Sequence, residues 1–126
     1  MEFKATKGIY LQIAESICNQ ILEGKLQPKE RVSSVRDLAS ELEVNRNTVM
    51  RTYSYLQTEH IFENKRGVGF FVAENAVRLI KNREKKDFFK NELPALLEKI
   101  KLLKLTSTDL IEVIETLKHN DANENK

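Results

Sequence analysis

Between Ser33 and Glu59 the sequence sets two short amphipathic stretches almost end to end, and that spacing restricts the accessible folds more than any other feature of the chain. The first places Val35, Leu38, Ala39 and Leu42 at helical intervals behind Ser33 and Ser34, whose hydroxyls can cap orphan amides. Ser34 and Asp37 stand at capping-box separation. The second, from about Arg46 to Glu59, puts Val49, Tyr53 and Leu56 on one side and leaves Arg46, Asn47, Met50, Arg51 and Ser54 on other faces. Glu43 and Val44 form a tight connection before Asn45, which can cap the second helix. Helices joined by three or four residues have the spacing of a helix-turn-helix.

An amphipathic helix precedes the pair. Ile9, Ile13, Ile17 and Ile21 recur every four residues, Ala14, Cys18 and Leu22 widen the stripe, and Gly24 and Pro28 end it. Downstream, the β-prone runs Ile61–Asn64 and Phe70–Val72 flank Lys65-Arg66-Gly67-Val68-Gly69, whose glycines permit positive φ, so a basic-tipped hairpin is expected. A helix-turn-helix followed at once by such a hairpin is a winged helix, with the wing placed to reach the phosphate backbone or minor groove.

From about Asn75 to Lys90 a basic helical stretch carries Val77, Leu79, Ile80, Phe88 and Phe89, and Pro94 then interrupts the pattern. Pro94 can sit in the first turn of a further helix that holds Leu93, Leu96, Leu97, Ile100, Leu103 and Leu105, and Thr106 with Asp109 forms a capping-box pair before a last helix with Leu110, Ile111, Val113, Ile114 and Leu117. About forty residues with this apolar content cannot close a core alone. Covering an extra patch on the order of 1,000 Å² would be worth on the order of 25 kcal/mol before entropy and association costs, so burial between subunits is expected. Leu93, Leu96, Leu97, Ile100, Leu103, Leu110, Ile114 and Leu117 are the expected dimerisation residues. The fold class is therefore α+β, mostly α. It comprises a winged helix-turn-helix DNA-binding domain over 1–74, a short all-helical dimerisation segment over 75–119 and a flexible polar tail over 120–126.

With 126 residues the chain holds one small domain plus an appendage, and no apolar run approaches the ~20 residues of a membrane span. Met1–Lys7 lacks the apolar stretch of a secretory signal and Cys18 has no internal partner, so a cytoplasmic setting is expected. His60 and His119 have no Cys, Asp or Glu at zinc-ligand spacing. There is no phosphate-cradling glycine loop and no nucleophile with a credible histidine base, so neither an enzyme nor a metal or cofactor site is expected.

The formal charge of +2 decides nothing by itself, because recognition depends on where the charges cluster. No acidic residue occurs between Val44 and Thr58, although Glu41, Glu43, Glu59 and Glu63 flank that stretch. Arg46 and Arg51 alone fit an ordinary solvated face, and Lys65-Arg66 alone a charged hairpin tip. Together they point to nucleic acid.

On these residues the chain resembles the GntR family of bacterial regulators. The resemblance rests on Tyr10-Leu11-Gln12-Ile13, Val35-Arg36-Asp37-Leu38-Ala39, Val44-Asn45-Arg46-Asn47-Thr48-Val49 and Arg66-Gly67-Val68-Gly69-Phe70-Phe71-Val72, in that order. From about Asn75 to Leu117 the length, helicity and Leu105-Thr106-Ser107 step resemble the YtrA subfamily. The resemblance implies that Arg36 meets a phosphate or base edge, and that Asn45, Arg46, Asn47 and Thr48 open the recognition helix toward the groove. It also implies that Arg66 and Gly67 form the wing contact. Ser34, Arg51 and Lys65 complete the expected DNA-binding set. Ser33 stands where the family often has proline, and Met50 where many members have arginine. A thioether cannot donate paired hydrogen bonds to guanine, though it can touch a thymine methyl.

The expected partners are double-stranded operator DNA and a second copy of the chain, the homodimer meeting successive major grooves roughly 34 Å apart on a palindromic or near-palindromic operator. Repression by promoter occupancy is the simplest consequence. An effector, unidentified from the sequence, would need a small pocket near the dimer seam or the interdomain joint. Two other readings stay open: a winged-helix protein-interaction module, and a nonspecific architectural DNA binder.

Overall fold

The computed structural model describes residues 8–124, so Met1–Lys7 and the last two residues of the expected tail lie outside the described residues. The N-terminal unit ends at Lys85 and runs through α1 (Ile9–Leu22), α2 (Val35–Leu42), α3 (Arg46–Thr58), β1 (Phe62–Lys65), β2 (Gly69–Val72) and most of α4 (Ala76–Asp87). In α1 the isoleucine stripe Ile13, Ile17 and Ile21 is buried together with Ala14 and Cys18. The α2 cap is Ser34, whose Oγ accepts from the Asp37 amide at 3.0 Å, and the α3 cap is Asn45, whose Oδ1 accepts from the Asn47 amide at 2.7 Å.

The first three helices stop in one way. After α1 the Lys25 amide reaches back to the Gln20 carbonyl and the Gly24 amide to Ile21, the paired bonds of a Schellman end, with Gly24 at φ +83. The same pair closes α2 through Val44 to Ala39 and Glu43 to Ser40, and α3 through Ile61 to Leu56 and His60 to Gln57. There the left-handed position falls to Glu43 (φ 56) and His60 (φ 63), residues that carry a Cβ.

The strands pair antiparallel, Phe62 opposite Val72 and Lys65 opposite Gly69. The connection before α2 supplies a third edge, which the sequence does not reveal. Val32 donates to the Phe70 carbonyl and Val72 to that of Glu30, both at 2.9 Å, and Arg31 lies opposite Phe71. One core joins all of these elements. Val49, Tyr53 and Leu56 of α3 pack with the α1 stripe, Ala39, Val32, Ile61, Phe62 and Val72, and Tyr53 meets Phe62 and Phe70 edge to face at 5.1 Å each. Ala76 and Ile80 of α4 are buried in the same core, which carries this unit past the division expected after Glu74.

The second unit begins at Lys86 and is helical: a wide π-helical turn over Phe88–Glu92, α5 (Leu93–Leu103) and α6 (Ile111–Glu124). Pro94 takes the position the sequence offers it. It occupies the first turn of α5, with the widened turn over Phe88–Glu92 immediately ahead of it. Lys104, at φ 51, closes α5. The Thr106–Asp109 box then forms: Asp109 Oδ2 accepts from the Thr106 amide at 2.9 Å and Thr106 Oγ1 from the Asp109 amide at 3.4 Å. The tail expected to fray from Asn120 instead continues α6 to Glu124, where Asn123 and His119 pair one turn apart at 3.0 Å.

Candidate nucleic-acid interface

The expected recognition residues occupy the first turns of α2 and α3. Arg36, Arg46 and Asn47 are exposed, Thr48 is half-buried, and the Met50 side chain stands 44% exposed on the outer surface of α3. None of Arg36, Arg46 or Arg66 has an acidic partner among the described residues. Ser34 and Asn45 spend a lone pair on their caps, yet the serine O–H and the asparagine NH₂ keep their protons for a second partner. The caps and the candidate contacts are thus compatible.

Arg51 behaves differently from its neighbours. Its guanidinium carbon lies 3.9 Å from the centroid of the Tyr10 ring in α1, so the charge is drawn to the side of α3 rather than to its leading edge. Tyr10 meets Tyr55 edge to face at 6.2 Å, and Arg83 of α4 donates to Tyr55 Oη and to Cys18 Sγ, each at 3.4 Å. Burial pushes the Cys18 thiol above its usual pKa, with Arg83 opposing that rise. Arg83 thereby becomes a packing cation, although the sequence shows it only as one charge of a basic run.

Tyr53 fixes the geometry from below. Its Oη donates to the Ser33 carbonyl at 2.7 Å, tethering the residue before the α2 cap to the middle of α3. Burial, with a smaller push from Glu41, raises this phenol to about 12. Thr52, fully buried, has one hydroxyl proton, which it shares between the Tyr10 carbonyl at 2.8 Å and the Thr48 carbonyl at 3.1 Å, tying α3 to α1. The Cα positions of the two helix starts are therefore set by the core rather than by surface contacts.

At the wing, Lys65, Arg66 and Gly67 are exposed, and Lys65 Nζ lies 4.3 Å from the Phe71 ring centroid. Gly67 adopts φ +78 with open space around its missing side chain, so backbone conformation alone calls for glycine there. Sequence reading missed Arg31, whose place beside the wing depends on pairing with a distant strand. Within the N-terminal unit a cavity of about 220 Å³ is lined by Ile13, Ser16, Leu38, Glu41 and Tyr53, among others. Among the described residues no group of His, Cys, Asp and Glu could hold a metal ion, and no helix is long and apolar enough to cross a membrane.

The expected dimerisation residues lie in the second unit, where Leu96, Leu97, Leu103 and Leu117 are 45–65% exposed and Leu93, Ile100, Leu110 and Ile114 are half-buried. Phe88, Phe89, Leu102, Ile111 and Val113 add exposed apolar surface that the sequence reading did not single out as contacts.

The family described as bacterial regulatory proteins, gntR family, matches residues 9–72, the span from the first residue of α1 to the last of β2. An uncharacterized HTH-type transcriptional regulator of Bacillus subtilis (strain 168), YhcF, is 36% identical over 115 residues, covering 91% of this chain and 93% of its own length. The HTH-type transcriptional repressor YtrA of the same organism is 37% identical over 73 residues, 58% of this chain and 56% of its own length. Among solved structures, a putative transcriptional regulator of the GntR family from Bacteroides thetaiotaomicron superposes with a TM-score of 0.71 at 40% identity, covering 90% of this chain and 99% of that one. A winged helix with these matches along its whole length, joined to a short helical segment, belongs to the GntR family of bacterial regulatory proteins, in its YtrA-like branch.

Proposed function

We propose that this DNA-binding transcriptional regulator acts as a homodimer on a palindromic or near-palindromic operator in the cytoplasm, most simply as a repressor. Ser34, Arg36, Asn45, Arg46, Asn47 and Thr48 engage the major groove and its phosphates, and Lys65, Arg66 and Gly67 engage the backbone or minor groove beside it. The observation that carries this reading is the surface of α3: Arg46, Asn47 and Met50 are exposed together, and no carboxylate lies in the helix to oppose a phosphate. A repressor role draws support from the name of the YtrA relative. Exposed leucines of α5 and α6 supply the surface for the second copy.

Selection from a randomised duplex library at physiological salt, with Arg46→Ala and Arg66→Ala in parallel, tests the reading. An enriched inverted repeat that both variants lose is the expected result. Binding without enrichment would make the protein an architectural binder, and absence of binding would favour a protein-interaction module using the exposed Met50.

A further inference from the structure

We propose that Arg31 is an additional DNA-backbone contact, its guanidinium occupying the space that Gly69 leaves open at the root of the wing. The proposal rests on the DNA-binding reading above and adds to it a residue from outside the recognition helix and the hairpin.

The backbone around Arg31 is held as a sheet edge by the bonds of Val32 to Phe70, Val72 to Glu30 and Lys29 to Val72, the last at 2.7 Å. Residues opposite one another in an antiparallel ladder share a face, so Arg31, Phe71 and Glu63 form one row, with Gly69 and Lys65 one step nearer the tip. Phe62 and Val72 take the other face, which is the core.

On the outer face the Arg31 side chain leans toward the tip: a Cβ built on Gly69 would stand 3.2 Å from its Nε and 3.5 Å from Nη2. Lys65 leans the opposite way, over Phe71. The two cations therefore cross diagonally at the base of the turn that carries Arg66. Glu63 is the opposing charge in these rows, and Arg31 has no acidic partner among the described residues. An exposed guanidinium on a hydrogen-bonded edge suits paired recognition of phosphate oxygens and leaves only its own rotamers to be ordered on binding. Gly69 thus has two reasons to be glycine: φ +140, and the cation lying over it.

The test uses the full chain and a short mixed-sequence duplex without an operator, titrated by fluorescence anisotropy across a salt series, since a phosphate contact is independent of sequence. Arg31→Gln should weaken binding roughly three- to tenfold and lower the magnitude of the log K against log salt slope by about 0.9, while Arg31→Lys keeps the slope. Thermal unfolding of each variant separates lost contact from lost fold. Wild-type affinity and slope in Arg31→Gln, alongside weakened binding by Arg46→Ala, overturn the proposal and leave the DNA-binding reading standing. A slope lost equally in Arg31→Lys also overturns it, by making the role one of packing. If the wild-type chain does not bind the duplex at all, both readings fall together.

Discussion

Arg51 and Tyr10 are stacked, the guanidinium carbon 3.9 Å from the ring centroid, so an arginine of the recognition helix packs against the helix that opens the domain. An exposed cation–π contact of this kind is worth about 0.5–1 kcal/mol. Arg51→Ala should therefore lower unfolding free energy by about that amount while reducing operator affinity less than Arg46→Ala does. Urea titrations paired with anisotropy measure both quantities. A variant of undiminished stability whose binding falls as far as that of Arg46→Ala would show that Arg51 leaves the ring to meet DNA.

Tyr53 gives the fold an alkaline limit. Its phenol ionises near 10 when unfolded and at about 12 in the folded chain, because burial, and then Glu41, disfavour the phenolate. A raised folded pKa means that its stabilisation is complete below pH 10 and is lost as pH climbs from 10 toward 12, by about 2 kcal/mol across that window. Tyr53→Phe removes the 2.7 Å bond to the Ser33 carbonyl and should cost about 1 kcal/mol at neutral pH. It also removes this titration, so the stability gap between the two proteins should narrow above pH 10. Chemical denaturation at a series of pH values decides, and a gap that stays constant would mean Tyr53 ionises freely in the folded state.

Much of this architecture is local and therefore legible in the sequence itself. Ser34 and Asn45 cap because short polar side chains at those offsets satisfy the first amides of a helix, and Val49, Tyr53 and Leu56 are buried because their spacing puts them on one side. What the sequence hides depends on partners distant along the chain. Arg31 joins the wing only through its pairing with Phe71, and Arg51 turns aside only because Tyr10 is there. That Arg46, Asn47, Lys65 and Arg66 stand exposed on α3 and the hairpin is legible, whereas the packing role of Arg51 is not.

The helix ends hold removable strain. Glu43 sits at φ 56 in the turn of the helix-turn-helix, where a left-handed backbone costs a residue with a Cβ about 1–2 kcal/mol and glycine much less. Glycine's larger unfolded-state entropy returns part of that difference, so Glu43→Gly should stabilise the fold by about 0.5–1 kcal/mol. His60→Gly at the end of α3 should act in the same direction. A lowered urea midpoint in Glu43→Gly would mean that the glutamate side chain contributes an interaction larger than the strain.

The second unit makes the remaining prediction, because α5 and α6 contain no fully buried residue although they are rich in leucine and isoleucine. Exposed apolar surface of that composition is unfavourable in water, and a second copy offers the same surface in return. Sedimentation equilibrium should show a dimer whose thermal midpoint rises with protein concentration, since association is linked to folding. Leu96→Glu combined with Leu117→Glu places charges on exposed positions of both helices and should shift the chain to monomer while leaving the N-terminal unit, with its separate core, folded. Operator binding should then weaken far more than binding to a single half-site, because the second contact is no longer intramolecular. A wild-type chain that sediments as a monomer at tens of micromolar would remove the dimer and, with it, the reason to expect a two-fold operator.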